Sequence, residues 1–223
     1  MLVPAFDAAA TLSETLASIL AQKTPVAEII VIDDGSSDAT AAIAAATPGV
    51  RLVRQSNAGT AAAFNAGLEI VSGNILAFLD ADDLWAPDTV GIHLANLARR
   101  ADADGSIGWV EEFVCPTLSA ADAKRFQPRP PQLGWLSGAT FVRLESFRRV
   151  GRFDNATRGW PWIGWAHRAK LAGLVFATVD KVLLRRRLHP TSLSMREGHR
   201  GGINLVGAAR QALQLHRAAG KID

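Results

Sequence analysis

Apolar and polar positions alternate along the first 80 residues in segments that predict strands and helices in turn. Short apolar runs rich in β-branched residues are typical of buried strands, whereas apolar residues at helical spacing are typical of amphipathic helices. The predicted elements are, in order, a strand at 1–3, a helix at 11–22, a strand at 28–32, a helix at 41–46, a strand at 50–54, a helix at 61–71 and a strand at 75–79. The last of these is an unbroken apolar run, which is typical of a strand buried on both faces.

This order of elements predicts an α/β domain with a mostly parallel central sheet. The connections are short enough for a helix to cross over between neighbouring parallel strands. Thr11 and Glu14 have the spacing of a capping box, which predicts where the first helix begins. Because ligands of such sheets bind beyond the carboxyl ends of the strands, we expect the functional residues there.

Carboxylates directly follow two of the predicted strands. Asp33 and Asp34 follow the strand at 28–32, and Asp80, Asp82 and Asp83 follow the strand at 75–79. Like charges so close together repel one another unless a cation or hydrogen-bond donors lie between them. One interpretation is therefore a metal site. The other is a pair of solvated acidic turns in which an Asp caps the next helix.

Length and composition narrow the class of protein. The 223 residues predict a single domain. No segment approaches the ~18 apolar residues of a membrane span, and no secretory signal precedes the first strand. We therefore expect the protein in the cytoplasm, with peripheral contact at the inner face of the membrane as an extension of that expectation. Cys115 is the single cysteine, which excludes a disulfide framework within the chain.

Charge is distributed unevenly between the two parts of the chain. Residues 1–100 carry 5 basic and 11 acidic groups, whereas residues 101–223 carry 19 basic and 10 acidic groups. The acidic part suits a cation, and the basic part suits phosphate or an anionic lipid. Basic and aromatic residues are not interleaved as in a nucleic-acid platform, so nucleic acid is not expected as a partner.

The strand ends carry neither the GxGxxG pattern of dinucleotide-binding folds nor the P-loop pattern. If the ligand is a nucleotide, its phosphates must be held in another way. A divalent cation that bridges a diphosphate to Asp side chains is the obvious alternative. Magnesium and manganese are the expected metals, because both prefer hard oxygen ligands.

Several segments resemble, in order and spacing, the family 2 glycosyltransferases that have the GT-A fold. The resembling segments are Pro4–Asp7, Val31–Asp38, Asn57–Gly67, Phe78–Asp83, Ser137–Thr140, Val150–Asp154 and Arg187–Ser192. The resemblance implies a GT-A-like three-layer α/β sandwich. It further implies a nucleotide-sugar-binding half at 1–100, an acceptor half at 101–195 and a tail at 196–223.

The resemblance also implies roles for individual residues in binding a nucleotide-diphosphate sugar, UDP-linked by expectation. Pro4 and Phe6 would lie at the uracil, Asp33 or Asp34 would accept a hydrogen bond from it, and Gly59 would line the nucleotide. Asp80 would contact the ribose and Arg187 the phosphates, while Asp82 and His189 would hold the metal. The alternatives are core packing for Phe6, helix capping for Asp33 and Asp34, and a solvated basic strand for Arg185–Arg187.

The resembling enzymes transfer the sugar to an acceptor hydroxyl, with inversion at the sugar carbon, and use an acidic pair on the helix after Val150–Asp154 as the base. No carboxylate occurs here between Asp154 and Asp180. His167 lies nearby and titrates near neutrality, so it is a candidate substitute for that base. Trp160, Trp162 and Trp165 form either a sugar-stacking platform or part of the core.

Two functions are consistent with this pattern. The first is a metal-dependent glycosyltransferase that acts on a glycan, lipid or small-molecule acceptor. The second is a degenerate relative that binds the sugar nucleotide without turnover and acts as a sensor or partner subunit. A nucleotidyltransferase is disfavoured, because Pro4–Ala10 contains no Lys or Arg. The tail from Arg200 predicts an amphipathic helix that docks on the domain, pairs with a second chain as a homodimer, or lies on a membrane surface.

Overall fold

Strands and helices alternate in the computed structural model, which describes residues 1–156 and 160–192. The strands are β1 (Leu2–Ala5), β2 (Ile29–Asp33), β3 (Val50–Arg54), β4 (Ile75–Ala77), β5 (Leu84–Trp85), β6 (Gly105–Val114), β7 (Gln132–Leu133), β8 (Thr140–Arg143) and β9 (Phe176–Leu188). The helices are α1 (Leu12–Leu20), α2 (Thr40–Ala46), α3 (Thr60–Leu68), α4 (Thr89–Arg99), α5 (Ala120–Ala123), α6 (Leu144–Val150) and α7 (Pro161–Leu171), with a 3₁₀ turn at Ser137–Ala139. The predicted tail helix lies outside the described residues.

The strands form two sheets that meet at one backbone bridge. β1, β2 and β3 pair in parallel in that order, and Leu2 forms a parallel bridge to Phe78, just after β4. The second sheet has the order β4-β8-β6-β9-β5, with β7 added to β6. Within it β6 and β9 are parallel, and the other pairs are antiparallel. Parallel pairing therefore dominates the first half of the fold.

The register between β6 and β9 shifts at two places. Ile107 pairs with Thr178, but Trp109 pairs with Val182 and Val110 with Leu184. β9 thus contains extra residues opposite this part of β6, as in a β-bulge. Beyond the irregularity the register is regular as far as Val114, and it places two acidic residues of β6 opposite two arginines of β9.

β2, in the middle of the first sheet, is buried along its whole length, which explains its nearly continuous apolar sequence. Along β2, Ile29 and Val31 belong to one buried cluster and Ile30 and Ile32 to the other, since successive side chains of a strand point to opposite faces. The first cluster includes residues of α1, α2 and α4, and the second includes residues of α3, α6 and α7. The predicted three-layer α/β architecture is confirmed.

The capping box predicted at the start of α1 does not form. The Thr11 hydroxyl makes no capping bond to the helix and instead donates a hydrogen bond of 2.9 Å to the carbonyl oxygen of Ala81. The Glu14 carboxylate accepts a hydrogen bond from Arg187, far along the chain. Both side chains are used for tertiary contacts, which the local spacing could not show.

A buried histidine lies between α4 and β6. The His93 ring is stacked on Phe141 with 4.3 Å between ring centroids, and its Nδ1 lies 2.9 Å from Ser106 Oγ. Its Nε2 is buried with no hydrogen-bond partner in the described part of the chain. Burial of the ring lowers the pKa of His93 to about 3, so the folded protein holds it neutral.

We expect His93 to make the protein less stable in mild acid. Above its ordinary pKa of about 6.5 the ring is neutral in both the folded and the unfolded protein, so His93 does not lower the free energy of unfolding there. Below that pH only the unfolded chain takes up the proton. The free energy of unfolding should then fall by about 1.4 kcal/mol per pH unit, until the pH approaches the folded pKa.

His93→Phe removes this titration and keeps a ring against Phe141. Urea denaturation between pH 6.5 and 4.5 should therefore show a smaller loss of stability with falling pH in the variant than in the wild type. His93→Gln, which keeps a polar atom near Ser106, serves as a second variant without an imidazole. The assignment is wrong if both variants retain the wild-type dependence on pH.

Candidate functional site

The strand ends surround one large cavity of about 690 Å³, a size typical of small-molecule sites. It lies where β1, β2 and β4 end, where α3 and α7 begin, and beside the end of β9. Its lining includes residues 4–8, Asp34, Asn57, Gly59, Thr60, residues 80–83, residues 115–118, residues 136–138, residues 160–163, Arg186, Arg187 and residues 189–192. This is the edge of the sheet at which the sequence predicted a ligand.

The turn after β1 places Phe6 at the cavity. Asp7 has a positive φ of 46°, and its carboxylate accepts a hydrogen bond of 2.8 Å from the Ser37 backbone N–H. Its own N–H donates to Ser36 Oγ at 3.0 Å. These bonds tie the turn to the loop after β2. The Phe6 ring is 41% exposed and so is not a core residue, and Pro4 also lines the cavity.

The two carboxylates at the end of β2 have different surroundings. Asp33 is fully buried, bonds to Arg54 Nε at 2.9 Å, and does not line the cavity. Asp34 does line it. The two Asp34 oxygens accept hydrogen bonds from Gln55 Nε2 and from the backbone N–H groups of Ala58 and Gly59, at 2.7, 2.9 and 2.8 Å. Of the two alternatives left open by the sequence, only Asp34 is placed where a ligand could reach it.

Two glycines at this edge of the cavity have positive φ angles. Gly35 has φ +79°, and a Cβ atom built on it would lie 2.8 Å from the Asn57 backbone nitrogen. Gly59, directly before α3, has φ +90°. Side chains at either position would strain the backbone, and at Gly35 one would also separate the loops after β2 and β3.

Asp80, Asp82 and Asp83 form a compact cluster at the end of β4. One carboxylate oxygen from each lies within 4.8 Å of those of the other two. Asp80 opens onto the cavity, Asp82 is half-buried and Asp83 is buried. An arrangement of hard oxygen donors of this kind is able to coordinate a divalent cation.

The environment raises the pKa of two of these carboxyl groups. Burial, with the nearby Asp82 carboxylate as second cause, raises the pKa of Asp80 to about 7, while the Arg186 charge acts in the opposite direction. For Asp83, burial and then the charges of Asp82 and Asp80 raise the pKa well above its usual range. A bound cation would relieve this repulsion.

His189 joins the cluster from the far end of the chain. Its Nε2 lies 2.9 Å from Asp82 Oδ2, and its Nδ1 lies 2.9 Å from Thr191 Oγ1. The structure thus brings together the two residues that the sequence predicted as metal ligands, although they are 107 positions apart. The contact with Thr191 fixes the orientation of the ring, as outer hydrogen bonds commonly do for ligating histidines.

Arg187 is built into the protein beneath the cluster. Its side chain is only 3% exposed. The guanidinium donates to the Asp82 carbonyl at 2.8 Å and to the Glu14 carboxylate at 2.6 Å, and the backbone N–H donates to Asp83 Oδ1 at 2.8 Å. We call these contacts the Arg187 clamp. They connect α1, the end of β4 and β9, so the predicted phosphate contact of Arg187 competes with structural bonds.

The first turn of α7 forms an aromatic and aliphatic wall of the cavity. Trp160, Pro161, Trp162 and Ile163 all line it. Trp162 also packs on Phe78 in the core, with 5.5 Å between ring centroids. None of these four side chains can accept a proton from a hydroxyl at neutral pH. This is the helix on which the resemblance placed an acidic pair.

Two further residues of α7 face away from the cavity. Trp165 is fully buried, and its Nε1 donates to the Gly151 carbonyl at 3.0 Å, so it belongs to the core and not to a sugar platform. His167 is half-buried and is not among the residues that line the cavity. The structure therefore does not bring the proposed substitute base to the carboxylate cluster.

Sequence reasoning missed several residues of the site. The spacing of Glu14 predicts only a capping box, Asp7 and Glu112 carry no local signal of a role, and Arg186 is not distinguished from Arg185 and Arg187 by the sequence. Asp7 lies in a segment used for the family resemblance, so only that resemblance was a signal. The pairing of Glu112 with Arg186 depends on the register of β6 and β9, which no local pattern indicates.

Comparisons with known proteins agree with this geometry. Residues 1–156 match the protein family described as Glycosyl transferase family 2. Among curated relatives, the succinoglycan biosynthesis protein ExoO of Rhizobium meliloti (strain 1021) is 36% identical over 138 residues, which cover 59% of this chain and 38% of that protein. The Escherichia coli enzyme UDP-Glc:alpha-D-GlcNAc-diphosphoundecaprenol beta-1,3-glucosyltransferase WfgD is 30% identical over 103 residues, which cover 45% of this chain and 41% of that protein. The match thus spans about two fifths of each relative.

The fold is also that of solved structures of another protein. The S. aureus TarS 1–349 structure in complex with UDP-GlcNAc superimposes with a TM-score of 0.67 at 17% identity, over 95% of this chain and 64% of that one. A TarS structure in complex with UDP gives a TM-score of 0.66 at 17% identity, over 97% and 71% of the two chains. The predicted GT-A fold is confirmed.

We expect removal of the Arg187 clamp to destabilise the protein. Arg187→Met keeps much of the aliphatic stem but loses the bonds to Glu14 and to the Asp82 carbonyl, so the free energy of unfolding should fall by about 2 kcal/mol. Arg185→Met is the matched control, because Arg185 lies two residues away and its bond to Glu111 is largely exposed. That control should change stability by less than about 0.5 kcal/mol. Equal losses in urea denaturation would contradict a special structural role for Arg187.

Proposed function

This chain belongs to glycosyl transferase family 2, and we propose that it transfers a sugar from a nucleotide-diphosphate donor, UDP-linked, to an acceptor hydroxyl. One observation carries this proposal. The ends of β1, β2 and β4 and the residues after β9 meet around a single cavity that Phe6, Asp34 and the carboxylate cluster all line. β1, which carries Phe6 at its end, lies between β2, which leads to Asp34, and the strand that leads to the cluster. Such an arrangement suits a ligand with a flat base at one end and a charged diphosphate at the other.

The nucleoside would bind between the loops after β1, β2 and β3. The exposed Phe6 ring supplies a face for stacking on a base, and Pro4 lines the same part of the cavity. Gly59 allows close approach of the ligand to the backbone. Asp34 is held firmly by its hydrogen bonds from Gln55, Ala58 and Gly59, which fixes an acceptor at the cavity wall. A fixed carboxylate favours a base that presents an N–H, as uracil does.

The carboxylate cluster fits a divalent metal in its donor chemistry. Asp82 and His189 would hold manganese or magnesium, with Asp80 beside the ribose and Asp83 supporting the cluster from below. Bound there, such a metal supplies Lewis-acid stabilisation of the charge on a departing diphosphate. The acceptor hydroxyl would approach the sugar carbon from the opposite side, which inverts its configuration. The acceptor, a glycan, a lipid or a small molecule, would bind to residues other than these.

The hydrogen bonds that the carboxylates of the cavity already make favour a second candidate function. Of the acidic residues lining the described part of the cavity, Asp7 bonds to Ser37, Glu14 to Arg187 and Asp34 to its own loop. The remaining ones form the cluster, and the α7 wall has no proton acceptor. A protein that binds the sugar nucleotide without turnover, as a sensor or partner subunit, is consistent with this arrangement.

No helix within the described ranges is both long enough and apolar enough to cross a membrane.

UDP and manganese together should stabilise the protein. At about 100 times the dissociation constant, a ligand specific for the folded state adds about 2.7 kcal/mol to the free energy of unfolding. UDP alone or manganese alone should give a smaller shift in Tm. Asp82→Asn should abolish the dependence on manganese, whereas Asp102→Asn, which changes an exposed carboxylate paired with Arg100, should not. A flat response to all nucleotides contradicts both candidate functions.

Release of UDP from UDP-sugars separates the two candidate functions. A transferase should release UDP from UDP-glucose or UDP-GlcNAc faster than a blank without protein, and Asp82→Asn should reduce this rate at least about 100-fold. Binding of UDP without any release favours the second candidate. His167→Ala should keep the wild-type rate within about twofold, because that ring does not line the cavity. A loss of 100-fold or more, the usual effect of removing a general base, would restore His167 to that role.

A further inference from the structure

Neighbouring arginines near the end of β9 have different environments. Arg187 is committed to the clamp, through bonds to Glu14 and to the Asp82 carbonyl. Arg186 lines the same cavity as Asp80 and Asp83. Among the described residues that line the cavity, Arg186 and Arg187 are the two with a guanidinium group. Arg186 is the one whose side chain is not part of the clamp.

Arg186 is held by an acidic residue of β6. The parallel register places Glu112 opposite Arg186, and Arg186 Nη1 lies 3.1 Å from Glu112 Oε1. The other Glu112 oxygen accepts a hydrogen bond of 3.0 Å from the Arg129 backbone N–H. Glu112 is therefore fixed from two sides and gives Arg186 a defined position at the cavity.

The neighbouring ion pair provides a direct comparison. Glu111 lies opposite Arg185 in the same register, with 3.2 Å between Arg185 Nε and Glu111 Oε2. The Arg185 and Glu111 side chains are 45% and 43% exposed, whereas those of Arg186 and Glu112 are 13% and 10% exposed. A largely buried ion pair costs desolvation energy that an exposed pair does not. This cost would be explained if the Arg186 charge binds an anionic ligand in the cavity.

On the basis of the proposed function, we propose that Arg186 binds the diphosphate of the sugar nucleotide and that Glu112 is its positioning residue. A guanidinium carries five N–H donors in a planar fork, which suits bonds to a carboxylate on one side and to phosphate oxygens on another. Arg186 and the three carboxylates of the cluster line one cavity. A diphosphate there would be neutralised from two directions, by Arg186 and by a cation at the cluster.

Calorimetric titration with UDP and with uridine, both in the presence of manganese, tests the role of Arg186. Uridine shares the nucleoside with UDP but lacks the phosphates. Arg186→Gln should weaken the binding of UDP about 10- to 100-fold and leave the binding of uridine within about twofold. Arg185→Gln, which changes the exposed neighbouring pair, should leave both affinities within about twofold.

The role of Glu112 is tested by combining substitutions. If Glu112 acts through Arg186, Glu112→Gln weakens UDP binding in the wild-type background but adds nothing in the Arg186→Gln background. The matched control Glu111→Gln should have no effect on UDP. The double variant Glu112→Gln/Arg186→Gln also leaves no unpaired buried carboxylate, so it reports on the charge at the cavity even if Arg186→Gln alone folds poorly.

The outcomes separate this inference from the proposed function. If wild-type protein binds UDP more tightly than uridine and the double variant keeps that preference, Arg186 does not bind the diphosphate. Equal weakening of UDP and uridine would also overturn the inference, because it indicates a general loss of structure. If the wild-type protein shows no preference for UDP over uridine, the proposed function itself fails, and the inference fails with it.

Discussion

The carboxylate cluster at the end of β4 is the constraint on which the site depends. Negative charges held within 4.8 Å of one another are unfavourable in a partly buried cavity unless positive charge or N–H groups are close. Here the compensating groups come from the other end of the chain. The Arg187 backbone N–H donates to the Asp83 carboxylate, its guanidinium donates to the Asp82 backbone carbonyl, and His189 contacts the Asp82 carboxylate. The cluster therefore depends on the end of β9 packing against the turn that follows β4.

Several features of the fold follow from that requirement. α1 is attached to the cluster through Glu14 and through the Thr11 bond to the Ala81 carbonyl. β9 extends from Phe176, which packs against the second core cluster, to Arg186 and Arg187, which line the cavity. On the other side, Trp162 both packs on Phe78 and lines the cavity, so the aromatic core and the cavity wall share one side chain. Core and site are parts of one packed structure.

The sequence predicted the fold well because its signals are local. Burial on both faces makes β2 and the strand at 75–79 continuous apolar runs, and the helices between them keep their apolar spacing. It also predicted that Asp82 and His189 would act together, since both lie in segments that resemble one family. It could not show that Asp33 forms an ion pair with Arg54 or that Arg187 forms one with Glu14. Those partners are fixed by how distant elements pack.

The irregular pairing of β6 and β9 has a consequence for how this site can diverge. The extra residues of β9 near Val182 set the phase with which the arginines that follow meet Glu111 and Glu112. Because adjacent side chains of a strand alternate in direction, an insertion or deletion of one residue in that stretch would move Arg186 to the face of β9 that Arg185 and Arg187 now occupy, and would move those two to the opposite face. Related chains could therefore change which guanidinium faces the cavity by changing the number of residues in this part of β9, while every charged residue remains the same.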